Sequence, residues 1–127
     1  MTAEPRNPSW FEPEAGLEGV LREAGAALCW ADRRRPVTPD WTTAPWGYVR
    51  FHGGRAKPAS CYGEAALDAW VARLRESDLK PDAELFAYFN NDHAGCALRD
   101  AGVFARLARG GGFEPTATPA PEAIPVG

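Results

Sequence analysis

The chain has no apolar stretch approaching the roughly 18–20 residues that a membrane-crossing helix needs, so none is expected. Its opening residues, MTAEPRNPSW, contain no apolar h-region. No secretory signal is read there, and the cytoplasm is the expected compartment. Cysteine is scarce: Cys29, Cys61 and Cys96 are odd in number, widely spaced and form no CxxC pair. A disulfide framework is therefore not expected, and Cys29, inside an apolar run, reads as a small buried hydrophobe. A surplus of positive charge is also missing. The net charge of −3 gives the chain as a whole no electrostatic footprint for nucleic acid or an anionic membrane. Neither GxxxxGK[ST] nor GxGxxG occurs, and Gly110-Gly111-Gly112 leads into a Pro-rich tail rather than a helix. Ser9 and Ser60 lack the context of a nucleophile elbow.

What remains is the composition of one ordinary folded domain: 127 residues, 45% hydrophobic and 24% charged. Tryptophan is abundant at five residues, and Trp10, Trp41 and Trp46 lie in Pro- or Gly-punctuated stretches. Residues 110–127, GGGFEPTATPAPEAIPVG, are so rich in Gly and Pro that they are expected to be disordered.

Between these limits strands and helices alternate. Pro13-Glu14 suits the first turn of a helix, Leu17, Val20, Leu21 and Ala24 fall near helical spacing, and Gly25 suits its stop. Residues 26–31, AALCWA, form a continuous apolar run ending at Asp32, as in strands covered on both faces. Residues 33–45 read as a polar, proline-punctuated loop. Residues 46–52 (WGYVRFH) are aromatic and β-branched, and Gly53-Gly54 ends them. The spacing of Leu67, Trp70, Val71 and Leu74 predicts a helix over 64–76. A third strand over 84–90 and a helix over 96–108 follow, and Ala3 to Arg6 stands where a preceding strand would end. Alternation of this kind predicts parallel strands adjacent in chain order. A sheet so short leaves both outer strands with unpaired edges, and the last strand, LFAYF, is strongly apolar.

In α/β folds ligands bind beyond the carboxyl ends of the strands, and each strand here ends in polar groups. Those groups are Glu4 and Arg6, then Asp32, then Arg50 and His52, then Asn90, Asn91 and Asp92. Arg50, flanked by Val49 and Phe51, has to point into the barrel or be paired, with Glu4 or Asp32 as its partner when no anion is bound. Asn90-Asn91-Asp92 serves equally as a helix cap or as a ligand contact. His93 reads as solvated, and Arg33-Arg34-Arg35 as a solvated loop. A metal held by Asp32, His52 and Asp92 is chemically sound, but no HxH or HExxH spacing supports it, and none is assigned.

Four stretches resemble the YecE-like family (domain of unknown function 72): EPRNPSWF at Glu4 to Phe11, the strand ending in Asp32, WGYVRFHGG at Trp46 to Gly54 with Tyr62 following, and YFNNDHAGCALRDA at Tyr88 to Ala101. They cover about residues 4–108 in family order, with Asn7 where His is usual and Asp100 where Asn is usual. The resemblance implies an α/β fold, a partial (β/α) TIM-type barrel holding strands five to eight over residues 1–109. The family's N-terminal half is then missing. The family has no firmly assigned reaction, and no cofactor is indicated.

Two functions follow as expectations. In the first, Arg6, Trp10, Arg50, Tyr62, Asn90 and Asn91 bind a small anionic, phosphate-bearing ligand or a nucleic-acid backbone. The two arginines grip phosphate, Trp10 and Tyr62 stack a ring, and Asp32, His52 or Asp92 does acid/base work. In the second, the chain is a non-catalytic half-barrel, truncated or split, that works only with a partner supplying the missing half or by self-association.

Overall fold

The computed structural model describes residues 1–32, 37–52, 61–80, 82–91 and 95–116. Four strands, β1 (Thr2–Ala3), β2 (Ala27–Asp32), β3 (Gly47–Phe51) and β4 (Leu85–Phe89), form one sheet in the order β1-β2-β3-β4, all parallel. Three helices accompany them: α1 (Leu17–Ala24), α2 (Glu64–Glu76) and α3 (Cys96–Gly110). The expected strands and their parallel adjacency are all present: β2, β3 and β4 lie within a residue of their expected ends, while β1 stops at Ala3, short of Arg6. None of the described helices is long and apolar enough to cross a membrane.

The first helix is shorter than its sequence pattern. Pro13–Ala15 closes as a 3-10 turn, and Gly16, at φ 66°, redirects the chain before α1 begins. That left-handed conformation is open to glycine at little cost. Gly25 ends α1 at φ 65°, and its N–H returns to the carbonyls of Arg22 and Leu21.

The core lies on the helical side of the sheet. Leu28 and Trp30 of β2 and Val49 and Phe51 of β3 pack there against Leu67, Trp70, Val71 and Leu74 of α2 and Phe104 and Ala108 of α3. The described part of the long β2–β3 connection packs on this side as well. Thr43 accepts from the Leu28 N–H at 3.1 Å and donates to the Ala26 carbonyl at 2.6 Å, and Thr38 accepts from the Ala31 N–H at 3.2 Å. The Trp30 indole donates to the Trp41 carbonyl at 3.0 Å. Buried backbone groups of β2 thus find partners in loop side chains. Arg73 of α2 lies over the Trp70 ring at 4.3 Å and pairs with Asp40, which ties the loop to the helix.

Packing continues past Arg109, where the barrel half was expected to give way to a disordered tail. α3 runs to Gly110, the Phe113 N–H bonds the Ala108 carbonyl at 3.0 Å, and the Phe113 side chain packs on the core. Residues 117–127 lie outside the described residues.

Cys61 and Cys96, separated by 35 residues, are joined by a disulfide whose Cα atoms are 4.9 Å apart. This corrects the expectation that no such bond forms. Spacing along the chain carries no information about a pair that meets only when α2 and α3 pack side by side. Cys29 is buried, as expected, and lies outside that disulfide.

Candidate functional site

Parallel pairing places the carboxyl ends of all four strands on one rim, and side chains alternate between the two faces of the sheet. Val49 and Phe51 enter the helical core. Tyr48, Arg50 and His52 therefore take the opposite face. The register sets Arg50 beside Tyr88 and Cys29 beside Tyr48, while Glu4, just past β1, extends the same row.

Glu4 is the centre of this face. Its Oε1 accepts from Arg50 Nη1 at 3.2 Å and from Cys29 Sγ at 3.3 Å. Its Oε2 lies 3.1 Å from Arg6 Nη2 and 3.4 Å from His52 Nε2. Arg50 Nε donates in turn to Asn90 Oδ1 at 2.7 Å. The Glu4 side chain is only 13% exposed, whereas that of Arg6 is 66% exposed. Arg6 is thus the solvent-side member of the cluster.

Burial pushes the Glu4 carboxyl up, and it is the largest single influence. The Cys29 hydrogen bond and the charges of His52, Arg50 and Arg6 together outweigh it, so the group stays below its ordinary value of 4.5. A carboxyl with a lowered folded-state pKa stabilises the fold fully above the unfolded-state value. That contribution is lost as the pH falls through the folded value. Thermal melts of the native chain are expected to lose stability more steeply below pH 4.5 than those of Glu4→Gln. Equal slopes for the two proteins would remove Glu4 as the cause.

Deeper on the same face, Tyr48 and Tyr88 stack at 5.1 Å with an interplanar angle of 21°. Burial, and then the neighbouring Cys29 and Tyr88, raise the Tyr48 phenol above 10.0. Phe86 and Tyr88 of β4 remain 38% and 50% exposed. The strand that looks uniformly apolar in sequence therefore has one packed face and one open face.

Of the expected site residues, Arg6, Arg50, His52 and Asn90 come together around Glu4. Asp32 does not join them. It shares the parity of Leu28 and Trp30 and lines a groove of about 480 Å³ with Thr38, Trp70 and Arg73 on the helical side. It therefore partners neither Arg50 nor, across the sheet, the His52 imidazole. Tyr62 is buried rather than exposed, with its ring edge-on to Phe51 at 5.3 Å, so it is not a ring-stacking surface. Asn91 is likewise buried, and its Nδ2 donates to Asp100 Oδ2 at 2.7 Å. The same oxygen accepts the Tyr62 N–H at 2.8 Å. Successive residues thus divide the work: Asn90 serves the rim and Asn91 anchors the strand end to α3. Trp10 is exposed on the 3-10 turn Pro8–Phe11, which Asn7 caps by accepting from the Ser9 N–H at 3.0 Å. Asp92, His93, Gly53 and Gly54 lie outside the described residues. No group of three His, Cys, Asp or Glu arranged for a metal occurs among the described residues.

Sequence reasoning did not find Asp100, Tyr48 or the hydrogen bond of Cys29 to Glu4. Asp100 carries a faint signal, a carboxylate on the apolar face of a helix, where it must have buried partners.

Fold and site together define an α/β protein with a parallel sheet whose strand ends hold one carboxylate ringed by cations. The chain belongs to the family described as Protein of unknown function DUF72, which it matches over residues 1–124. Two crystal structures of a DUF72 family protein from Enterococcus faecalis V583 are similar to it. One aligns at 24% identity and a TM-score of 0.69, covering 85% of this chain and 48% of that one. The other aligns at 20% identity and a TM-score of 0.68, covering 85% and 46%. At these identities the likeness is one of fold, and this chain spans just under half the length of its structural neighbours. No curated protein matches the sequence.

Proposed function

We propose that the cluster around Glu4 binds a small anionic, phosphate-bearing ligand at the rim of a (β/α) barrel to which β1–β4 contribute the last four strands. The observation that carries this reading is the charge balance of the cluster. Two guanidiniums and an imidazole face a single carboxylate, so positive charge is in surplus where a parallel sheet presents its ligand site. An arginine fork matches phosphate geometry, and Glu4 holds Arg50 in place until an anion arrives. The net charge of −3 favours a small anion over a nucleic-acid backbone, which needs several dispersed phosphate contacts. Should the site perform a reaction, Glu4 and His52, 3.4 Å apart, are the groups placed to move a proton, with Asp92 as a further candidate.

Titration of inorganic phosphate into the full chain, followed by calorimetry, tests the reading. Arg50→Ala is expected to abolish binding while lowering stability by only about 1 kcal/mol, since a partly exposed ion pair contributes little. Absence of binding by the native chain, with a collapsed melting temperature in the variant, would make Arg50 a purely structural residue.

A second reading rests on Phe86 and Tyr88, the large exposed rings on the Arg50 face beside the outer edge of β4. Open apolar edges recruit further strands. In this reading the chain works only when another half-barrel, or a second copy, covers that face. Sedimentation of the isolated chain as a self-associating species is then the expected result, and a monodisperse monomer with cooperative unfolding would count against it.

A further inference from the structure

We infer that the Cys61–Cys96 bond is a thiol–disulfide exchange site that accepts a dithiol reductant, and not a permanent staple. The two sulfurs have unlike surroundings. Cys61, in the connection that leads from β3 into α2, is half-buried, whereas Cys96 is fully buried as the first residue of the 15-residue helix α3. An incoming thiolate therefore reaches Cys61 Sγ first. Arg99, one turn into α3, sets Nη1 3.9 Å from that sulfur, and its charge attracts the attacking thiolate. Cys96 is the leaving group, and the place it leaves from suits an anion. Gly95, at φ 73°, caps α3 without a side chain of its own. The departing thiolate thus lies at the N-terminal, positive end of the helix dipole.

The exchange balances in two steps. The reductant's first thiolate bonds Cys61 Sγ while the Cys61–Cys96 bond breaks, and the electron pair leaves on Cys96. The reductant's second thiolate then attacks its own sulfur in the mixed disulfide and releases Cys61. Two electrons pass from the reductant, which becomes a disulfide, and the two cysteine sulfurs end as thiols after taking up two protons.

The bond joins Cys61, just ahead of α2, to Cys96, the first residue of α3. Its reduction frees Cys61, ahead of α2, from Cys96 of α3, while the Asp100 bonds to Tyr62 and Asn91 remain. The inference stands on the cysteine surroundings alone and does not depend on anion binding.

Treating the air-oxidised full chain with dithiothreitol, then with N-ethylmaleimide, and mapping the labelled peptides by mass tests it. Cys61 and Cys96 are expected to label without denaturant, while buried Cys29 does not. In Cys96→Ser, oxidised glutathione is expected to add to Cys61, and far faster than it adds to Cys96 in Cys61→Ser. Arg99→Ala is expected to slow reduction roughly threefold and Arg99→Lys to restore it, because a cation beside the attacked sulfur speeds the encounter. Labelling of the pair only in denaturant, free thiols in the air-oxidised chain, or equal glutathione rates for the two single-cysteine variants would each overturn the inference.

Discussion

Phe51→Ala is expected to destabilise the fold by about 3–5 kcal/mol, the range for removing a buried aromatic ring from a packed core. Phe51 is 0% exposed and joins every layer of the core. Its ring stacks on Phe89 of β4 at 4.4 Å. It meets Tyr62 at 5.3 Å, Trp70 of α2 at 5.4 Å and Phe104 of α3 at 5.3 Å, all edge-on. Alanine would open a cavity walled by four other rings, and rings of that size cannot collapse into the space without leaving their rotamers. Such edge-on and offset pairs also contribute about 0.5–1.5 kcal/mol each beyond the area they bury. Phe51→Leu, which keeps much of the volume, should cost about half as much. Urea denaturation followed by fluorescence measures both. A loss below about 1 kcal/mol for Phe51→Ala would mean that the core is organised around another residue.

The second large effect is expected at Asp100, where alanine should cost about 2–4 kcal/mol. Asp100 is 2% exposed, and one carboxylate oxygen accepts both the Tyr62 N–H and Asn91 Nδ2. Removing it strands two buried donors, each at about 1–3 kcal/mol. Asp100→Asn retains an accepting oxygen and should be milder. Asn91→Ala removes one of the two donors, so the double variant Asp100→Ala/Asn91→Ala should cost less than the two single costs added together. Strict additivity in that cycle would show that the Asn91–Asp100 bond contributes nothing. Because Asn91 follows Asn90, the residue that holds Arg50 Nε, the proposed anion site predicts weaker phosphate binding in Asp100→Ala even in the folded fraction. The carboxylate thereby links the stability of α3 to the order of the rim.

Much of the architecture was legible in local pattern. The helix expected over 64–76 is α2 (Glu64–Glu76) to the residue, because its apolar face and its polar flanks are both local. The strands were legible for the same reason, and parallel order followed from their alternation with helices. The pairing of Arg50 with Glu4 was expected from the cost of desolvating an arginine between two apolar neighbours, and it is present at 3.2 Å. Asp32 looked like an equal partner in sequence, since both carboxylates end a strand. Which face each one takes depends on the count of residues from the buried positions of its own strand, and a shift of one residue reverses it.

By itself, then, the sequence determined the order of strands and helices, the extent of α2, and a set of polar residues gathered at strand ends. These follow from periodicities of two and 3.6 residues and from turn chemistry, which act over a few neighbouring positions. The tertiary structure alone decided which members of that set meet. It turned Arg6, Arg50, His52 and Asn90 toward Glu4 and sent Asp32 and Asn91 to the helical side. It also buried Tyr62 beneath Phe51 and closed Cys61 onto Cys96. The contacts around Glu4, Tyr62, Asn91 and the disulfide join residues as far apart as Glu4 and His52. The free energy of such contacts comes from packing sheet against helices, a term that no local stretch of chain contains.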